Sequence, residues 1–166
     1  GVRIVFNGEV ILGTRAKKTR TRSFNAFSSI DFPAIAVMRE GTPFYYIEGQ
    51  KPTGDPAFYH ALNENVFVLK MIPGLKADIF DYLDDHCDGL VIESFGAGGL
   101  PNYEDNAFFD RLARFLSRGK TAVLTTQVER EGSALDKYAV GRRLHACGKV
   151  LEARCMTLEA TVTKLM

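Results

Sequence analysis

Three short apolar runs constrain this chain more than any other feature: "NVFVLKM" (65–71), "DGLVIES" (88–94) and "KTAVLTT" (120–126). Each is too short for a buried helix and too continuously apolar for a strand with one face in water. Helical periodicity lies between them. Leu75, Ile79, Tyr82 and Leu83 fall at i, i+4, i+7 and i+8, and Phe108, Leu112, Phe115 and Leu116 repeat that spacing. Strand, helix, strand, helix, strand, with strands apolar on both sides, predicts an α/β domain built on a small parallel sheet flanked by helices, Rossmann-like in kind. Further helices are expected near 134–147, with Ser133 as candidate N-cap, and over 157–166, where Leu158, Val162, Leu165 and Met166 make the stripe. Asp78, Asp81, Asp84 and Asp85 fall largely off the first stripe, which reads as a solvated face rather than a metal cluster.

The first third of the chain follows a different pattern. In "VRIVFNGEVILGT" two apolar runs flank Asn7-Gly8, a pair whose tolerance of positive φ suits a tight type I′ hairpin turn. "AIAVMREGTPFYYI" predicts a second hairpin, turning near Glu40-Gly41-Thr42-Pro43. Arg15, Lys17, Lys18, Arg20 and Arg22 crowd the stretch between them without the interleaved aromatics that single-strand nucleic-acid binders use. They read as a solvated strand edge kept unpaired by charge. "EGQKPTGDP" (48–56) carries two glycines and two prolines and marks a linker. The expected division is β-hairpins over 1–48, a linker over 49–63 and the α/β domain over 64–166.

Composition excludes several classes. At 166 residues, 46% hydrophobic and 25% charged, the chain is expected to fold around a core of ordinary size. A net charge of +1 gives no global attraction to nucleic acid or membrane, and no run approaches the roughly 18 apolar residues of a spanning helix. Cys87, Cys147 and Cys155 show no CxxC or Cys/His spacing, which fits small buried thiols in a reducing cytoplasm. No metal motif and no cofactor motif is present in the sequence. The chain opens on Gly1 directly before a strand pattern and stops at Met166 inside a helical one, so it is read as a segment of a longer protein.

The stretch "VIESFGAGGLPN" (91–102) is the candidate site. It lies where a parallel strand ends, the edge at which open α/β sheets bind ligands. It is not the dinucleotide fingerprint, because Pro101 stands where the third glycine belongs, and no phosphate loop of the G-x-x-x-x-G-K-[ST] type exists. No G-x-S-x-G nucleophile elbow surrounds Ser94. His60, His86 and His145 have no acidic or nucleophilic partner in sequence; His86 is read as a helix-end residue and His145 as a helix-surface one. Thr125 and Thr126 end the third strand on the same edge, and Glu129 and Glu131 follow in a loop. These residues alone leave two readings open, a ligand-holding loop and a bare glycine turn.

Four stretches in order, "GTRAKKTRTRSFNAFSS", "DGLVIESFGAGGLPN", "TTQVEREGSALDKYAVGRR" and "MTLEATVTKLM", resemble the cytoplasmic-type bacterial L-asparaginases over essentially the whole chain. The resemblance implies a two-domain amidohydrolase that converts L-asparagine to L-aspartate and ammonia without a cofactor. Its threonine nucleophile, in a T-G-G-T-I type motif, its T-D pair and its assisting lysine would all lie upstream of Gly1, so no catalytic residue is expected here. Residues 1–48 would then be the tail of the catalytic domain. Ser94, Gly98, Gly99 and Glu131 would help to hold the α-amino end of the substrate, at sites that subunits of a cytoplasmic homodimer or homotetramer complete together. Departures stand out. Relatives commonly carry asparagine at Gly99; some carry arginine at Glu93 and cysteine at Val128, positions tied to an effector site for asparagine. Two other expectations compete, the asparaginase-like subunit of a Glu-tRNA amidotransferase and a non-catalytic amino-acid-binding module.

Overall fold

Alternating side chains around Asn7-Gly8 fold back as the sequence predicts. In a computed structural model, which describes residues 1–49, 51–101, 106–137, 139–146 and 150–166, β1 (Arg3–Phe6) pairs antiparallel with β2 (Glu9–Leu12). Asn7 and Gly8 take φ of 49° and 77°, the double positive φ of a type I′ turn. A 3₁₀ turn (Gly13–Arg15) leads to β3 (Ala16–Lys18), which pairs with β4 (Phe27–Ser29). The second hairpin joins β5 (Ala36–Arg39) to β6 (Thr42–Tyr45) through Glu40 and Gly41 alone, and Thr42 and Pro43 already belong to the strand. The larger sheet has the order β1-β2-β5-β6, with Val10, Ile35 and Ala36 as its small core. The basic run makes local contacts: the Arg15 guanidinium lies 5.7 Å over the Phe32 ring, and Arg20 donates to the Asn25 carbonyl at 3.0 Å.

The chain clusters into two units, Gly1–Leu62 and Asn63–Met166, and residues 51–65 carry neither helix nor strand. In the second unit β7 (Val66–Lys70), α1 (Ile79–His86), β8 (Gly89–Ser94), α2 (Ala107–Ser117) and β9 (Thr121–Thr126) follow the predicted alternation. A 3₁₀ turn (Leu135–Lys137) and α3 (Ala139–Ala146) replace the single helix expected near 134–147. Then come β10 (Val150–Glu152) and α4 (Leu158–Leu165). The four strands form a parallel sheet in the order β10-β9-β8-β7, each beside its neighbour in sequence. The sequence reading omits β10 for a physical reason: it is three residues long, and only Val150 and Leu151 are apolar before Glu152, too short a run to announce a strand.

Side-chain alternation assigns the two faces. Leu69, Leu90, Ile92, Ala122 and Leu124 pack with Phe80, Leu83, Phe108, Leu112, Phe115 and Leu116 of α1 and α2 in the main core. The other face, from Val66 and Gly89 to Val123, receives α4, whose Leu165 lies against Gly89. The Thr157 side chain caps α4, accepting the Ala160 N–H at 3.2 Å.

The α1 stripe differs from expectation. Leu75 precedes the helix, so it cannot set the helical phase; Phe80 and Leu83 are buried whereas Tyr82 is 54% exposed. Asp84 is likewise buried rather than solvated. Its carboxylate meets Arg114 at 2.9 Å and Arg118 at 3.5 Å from α2 and its flank, and Lys120 donates to the carbonyls of Asp84 (2.5 Å) and Cys87 (2.7 Å). Asp81 does face solvent. The hydrogen bond from Arg114, helped by Arg111, holds its carboxyl below the ordinary range. Burial pushes the Cys87 thiol up, with Lys120 opposing the shift. Cys155 is half-buried; Cys147 and the His145 side chain lie outside the described residues. His86 ends α1, its Nδ1 2.8 Å from the Tyr82 carbonyl and its ring stacked on Tyr82. His60 lies exposed in the first unit.

Candidate ligand-binding edge

The carboxyl ends of β8 and β9 lie side by side, Ser94 opposite Thr126. From this edge the chain turns through the glycine loop as a tight knot: Phe95 donates to the Gly99 carbonyl at 2.9 Å, and Gly98 and Gly99 donate back to the Phe95 carbonyl at 3.1 and 2.7 Å. Gly98 is obligatory. Its φ is +145°, and a Cβ there would stand 3.2 Å from Leu135, so the absent side chain lets the loop settle onto that buried leucine.

The second loop is bound to the first. Ala134 donates to the Ala97 carbonyl at 2.7 Å, and the Thr126 hydroxyl donates to the Gly96 carbonyl while accepting the Val128 N–H at 3.0 Å. Ser133 exchanges two bonds with Arg154, N–H to carbonyl and Arg154 N–H to the Ser133 hydroxyl, each 3.0 Å. It is therefore no helix N-cap; its hydroxyl fastens the loop to the segment after β10. The Glu152 carboxylate accepts the Leu135 N–H at 2.8 Å and caps the 3₁₀ turn instead.

Of the four predicted site residues, Ser94 and Gly98 are enclosed and Glu131 is exposed, with Gly99 half-buried between. The Ser94 hydroxyl donates to the Thr125 carbonyl at 2.6 Å. The Ala97–Ala134 bond brings the Glu131 loop beside the glycine loop, with Glu131, at φ 76°, on its rim. Because the Ser94 and Thr126 hydroxyl protons go to carbonyls, neither oxygen is activated by a base. Among the described residues no three His, Cys, Asp or Glu side chains converge as a metal site requires. A recess of about 320 Å³ opens elsewhere, between β9, β10 and α4, and none of the four residues lines it.

Gln127 is the residue that sequence reasoning missed. Its Nε2 donates to the Met71 carbonyl at 2.6 Å and the Glu93 carbonyl at 3.0 Å, and its backbone N–H donates to Ser94 at 3.2 Å. The only signal was a long amide side chain directly after the last strand threonine, legible once the strand register is known.

The second unit is a parallel α/β domain whose loops gather at the strands' carboxyl edge, the edge at which open α/β sheets take ligands, and among the described residues that edge holds no activated nucleophile. Two family descriptions match the chain: "Glutaminase/Asparaginase C-terminal domain" over residues 65–166 and "Asparaginase, N-terminal" over 1–50. The chain belongs to the glutaminase/asparaginase family.

Relatives agree. An L-asparaginase of Thermococcus kodakarensis is 36% identical over all of this chain and 50% of its own length, and the solved structure of the thermostable L-asparaginase from that organism superposes with a TM-score of 0.91 over the same shares. L-asparaginase 1 of Escherichia coli is 29% identical over 99% of this chain and 48% of its own length. A glutamyl-tRNA(Gln) amidotransferase component of Pyrococcus furiosus is 29% identical over 93% of this chain and 35% of its own length. The chain thus spans about half the length of the curated asparaginases it matches.

Proposed function

We propose that this chain is the carboxyl-terminal half of an L-asparaginase that hydrolyses L-asparagine to L-aspartate and ammonia. Residues 1–48 end its catalytic domain, 49–63 link, and 64–166 form the domain that holds the amino-acid part of the substrate. The observation that carries this reading is the family match in both units, in order, with 36% identity across the whole chain. The site supports the division of labour. A rigid edge of backbone groups and a rim carboxylate suits holding an amino acid in place, which makes attack by a nucleophile from elsewhere effectively intramolecular. Gly99 and Glu131 face the ligand, and Ser94 and Gly98 shape the wall behind them. The enzyme acts in the cytoplasm as a homodimer or homotetramer and uses no cofactor, metal, nucleic acid or membrane.

The 166-residue chain alone releases no ammonia from L-asparagine, whereas the protein carrying its upstream sequence does. Turnover by the short chain at the rate of the longer one refutes this reading. The amidotransferase alternative has the lesser support of a match that covers a smaller part of that relative. It predicts that ammonia release from free asparagine requires a partner protein. Micromolar binding of asparagine or aspartate with no turnover even by the longer protein indicates an amino-acid-binding module instead.

A further inference from the structure

Three parallel strands end at this edge, and ladder bonds alone do not hold their ends together. The β7–β8 register closes at Lys70 and Glu93, and Met71 adds one bond, its N–H to the Glu93 carbonyl at 3.0 Å. The ladder between the two strands stops there. From β9's side of the sheet the Gln127 carboxamide donates to the Met71 carbonyl, and it shares the Glu93 carbonyl with the Met71 N–H. Because both acceptors are carbonyls, only the NH₂ end of the amide can meet them, so the orientation of the side chain is determined by chemistry. One residue thereby ties the ends of β7 and β8 to β9, while its neighbour Thr126 ties Gly96 of the glycine loop to the same point. The loops after β8 and β9 leave the sheet from one clamped origin.

We propose that Gln127 is a positioning residue for ligand binding at this edge: its carboxamide latches the carboxyl ends of three strands and so sets the glycine loop against which the amino acid rests. The latch stands on this geometry alone; its role in substrate binding rests on the asparaginase reading. A positioning role separates from a merely structural one in a definite way. Loosening the wall weakens substrate binding and leaves the chemistry of a distant nucleophile intact, so KM rises at nearly constant kcat. Loss of fold instead removes active molecules, lowering apparent kcat at constant KM.

The first arm uses the 166-residue chain. Gln127→Met keeps side-chain length and removes both donors. Amide exchange at Gly98 and Gly99 is expected to accelerate about tenfold, with Leu90, Val91 and Ile92 unchanged. Gln127→Glu, which sets an ionised acceptor against two carbonyls, gives a larger acceleration and serves as the second variant should Gln127→Met fold poorly. Unchanged exchange in both variants overturns the latch, whatever the protein's activity. The second arm uses the longer protein, where Gln127→Met raises KM for L-asparagine about tenfold with kcat kept within about twofold. A fall in kcat at unchanged KM overturns the positioning role. Should the longer protein hydrolyse no asparagine, the asparaginase reading falls, and the exchange result alone decides for or against the latch.

Discussion

Replacing Gly132 with alanine probes a close backbone approach beside the candidate site. Gly132 has φ +65°, and a Cβ added there stands 2.4 Å from the Arg154 carbonyl oxygen and 2.7 Å from its carbon. Those are backbone atoms, with no flexible side chain to swing aside. The left-handed conformation alone costs a non-glycine residue about 1–2 kcal/mol. Relieving the clash also requires the Gly132 and Arg154 segments to separate, which breaks the two 3.0 Å bonds between Ser133 and Arg154. At about 1 kcal/mol net for each bond, the total loss is about 3–4 kcal/mol. Gly96→Ala is the internal control: its φ is +50°, but no atom lies within 4 Å of the added Cβ, so only the conformational cost of about 1–2 kcal/mol applies. Urea unfolding followed by far-UV circular dichroism reads the second unit selectively, since α1 to α4 all belong to it. Stabilities of the two variants agreeing to within about 0.5 kcal/mol would refute the close-approach reasoning.

Further tests bear on the helices around the sheet. Asp84→Asn, which keeps shape and removes charge, should cost about 1–2 kcal/mol, the arginines being half in water, and a double-mutant cycle with Arg114→Ala should recover most of that as coupling. For Asp81 the folded-state pKa is lowered, so its contribution is present above the unfolded value of about 4 and is lost as pH falls through the folded one. Arg114→Ala should therefore raise the Asp81 midpoint in a carboxyl NMR titration and flatten the acid limb of the stability curve; an unmoved midpoint contradicts the assignment. Cys87, buried and with its thiol pushed up, should alkylate far more slowly than half-buried Cys155 in native protein, as peptide mapping will show. Thr157→Ala should cost about 1 kcal/mol through loss of the α4 cap, read as a shift of the urea midpoint.

What the sequence made legible tracks what periodicity can express. The runs that became β7, β8 and β9 were apolar on both faces and long enough to be unmistakable, and Asn7-Gly8 carried its turn chemistry in two residues. Four-residue offsets failed at α1 because Leu75 belongs to the turn before the helix, and a stripe begun one turn early selected Tyr82 instead of Phe80. Asp84 misled for a related reason: its burial depends on Arg114, thirty residues away, and no local pattern encodes a partner on another helix. The glycine loop was placed correctly at a strand's carboxyl end, but the enclosure of Ser94, whose hydroxyl bonds the Thr125 carbonyl, emerges only once β8 and β9 are in register. Gln127 and Glu152 lay beyond reach altogether, because their work is to satisfy backbone groups whose need arises only after the sheet has formed.

The strand order has a consequence for how this unit comes into being. Each strand of the parallel sheet lies beside the one made just before it, so the growing sheet can extend one βα step at a time as the chain emerges. The face opposite α1 and α2 is different. It waits for α4, whose Leu165 closes on Gly89 beside Val66, residues synthesised some seventy-five to a hundred positions earlier. Until α4 leaves the ribosome, β7 and β8 keep one apolar face in water, and the newborn domain is at its most aggregation-prone when its sheet is already complete.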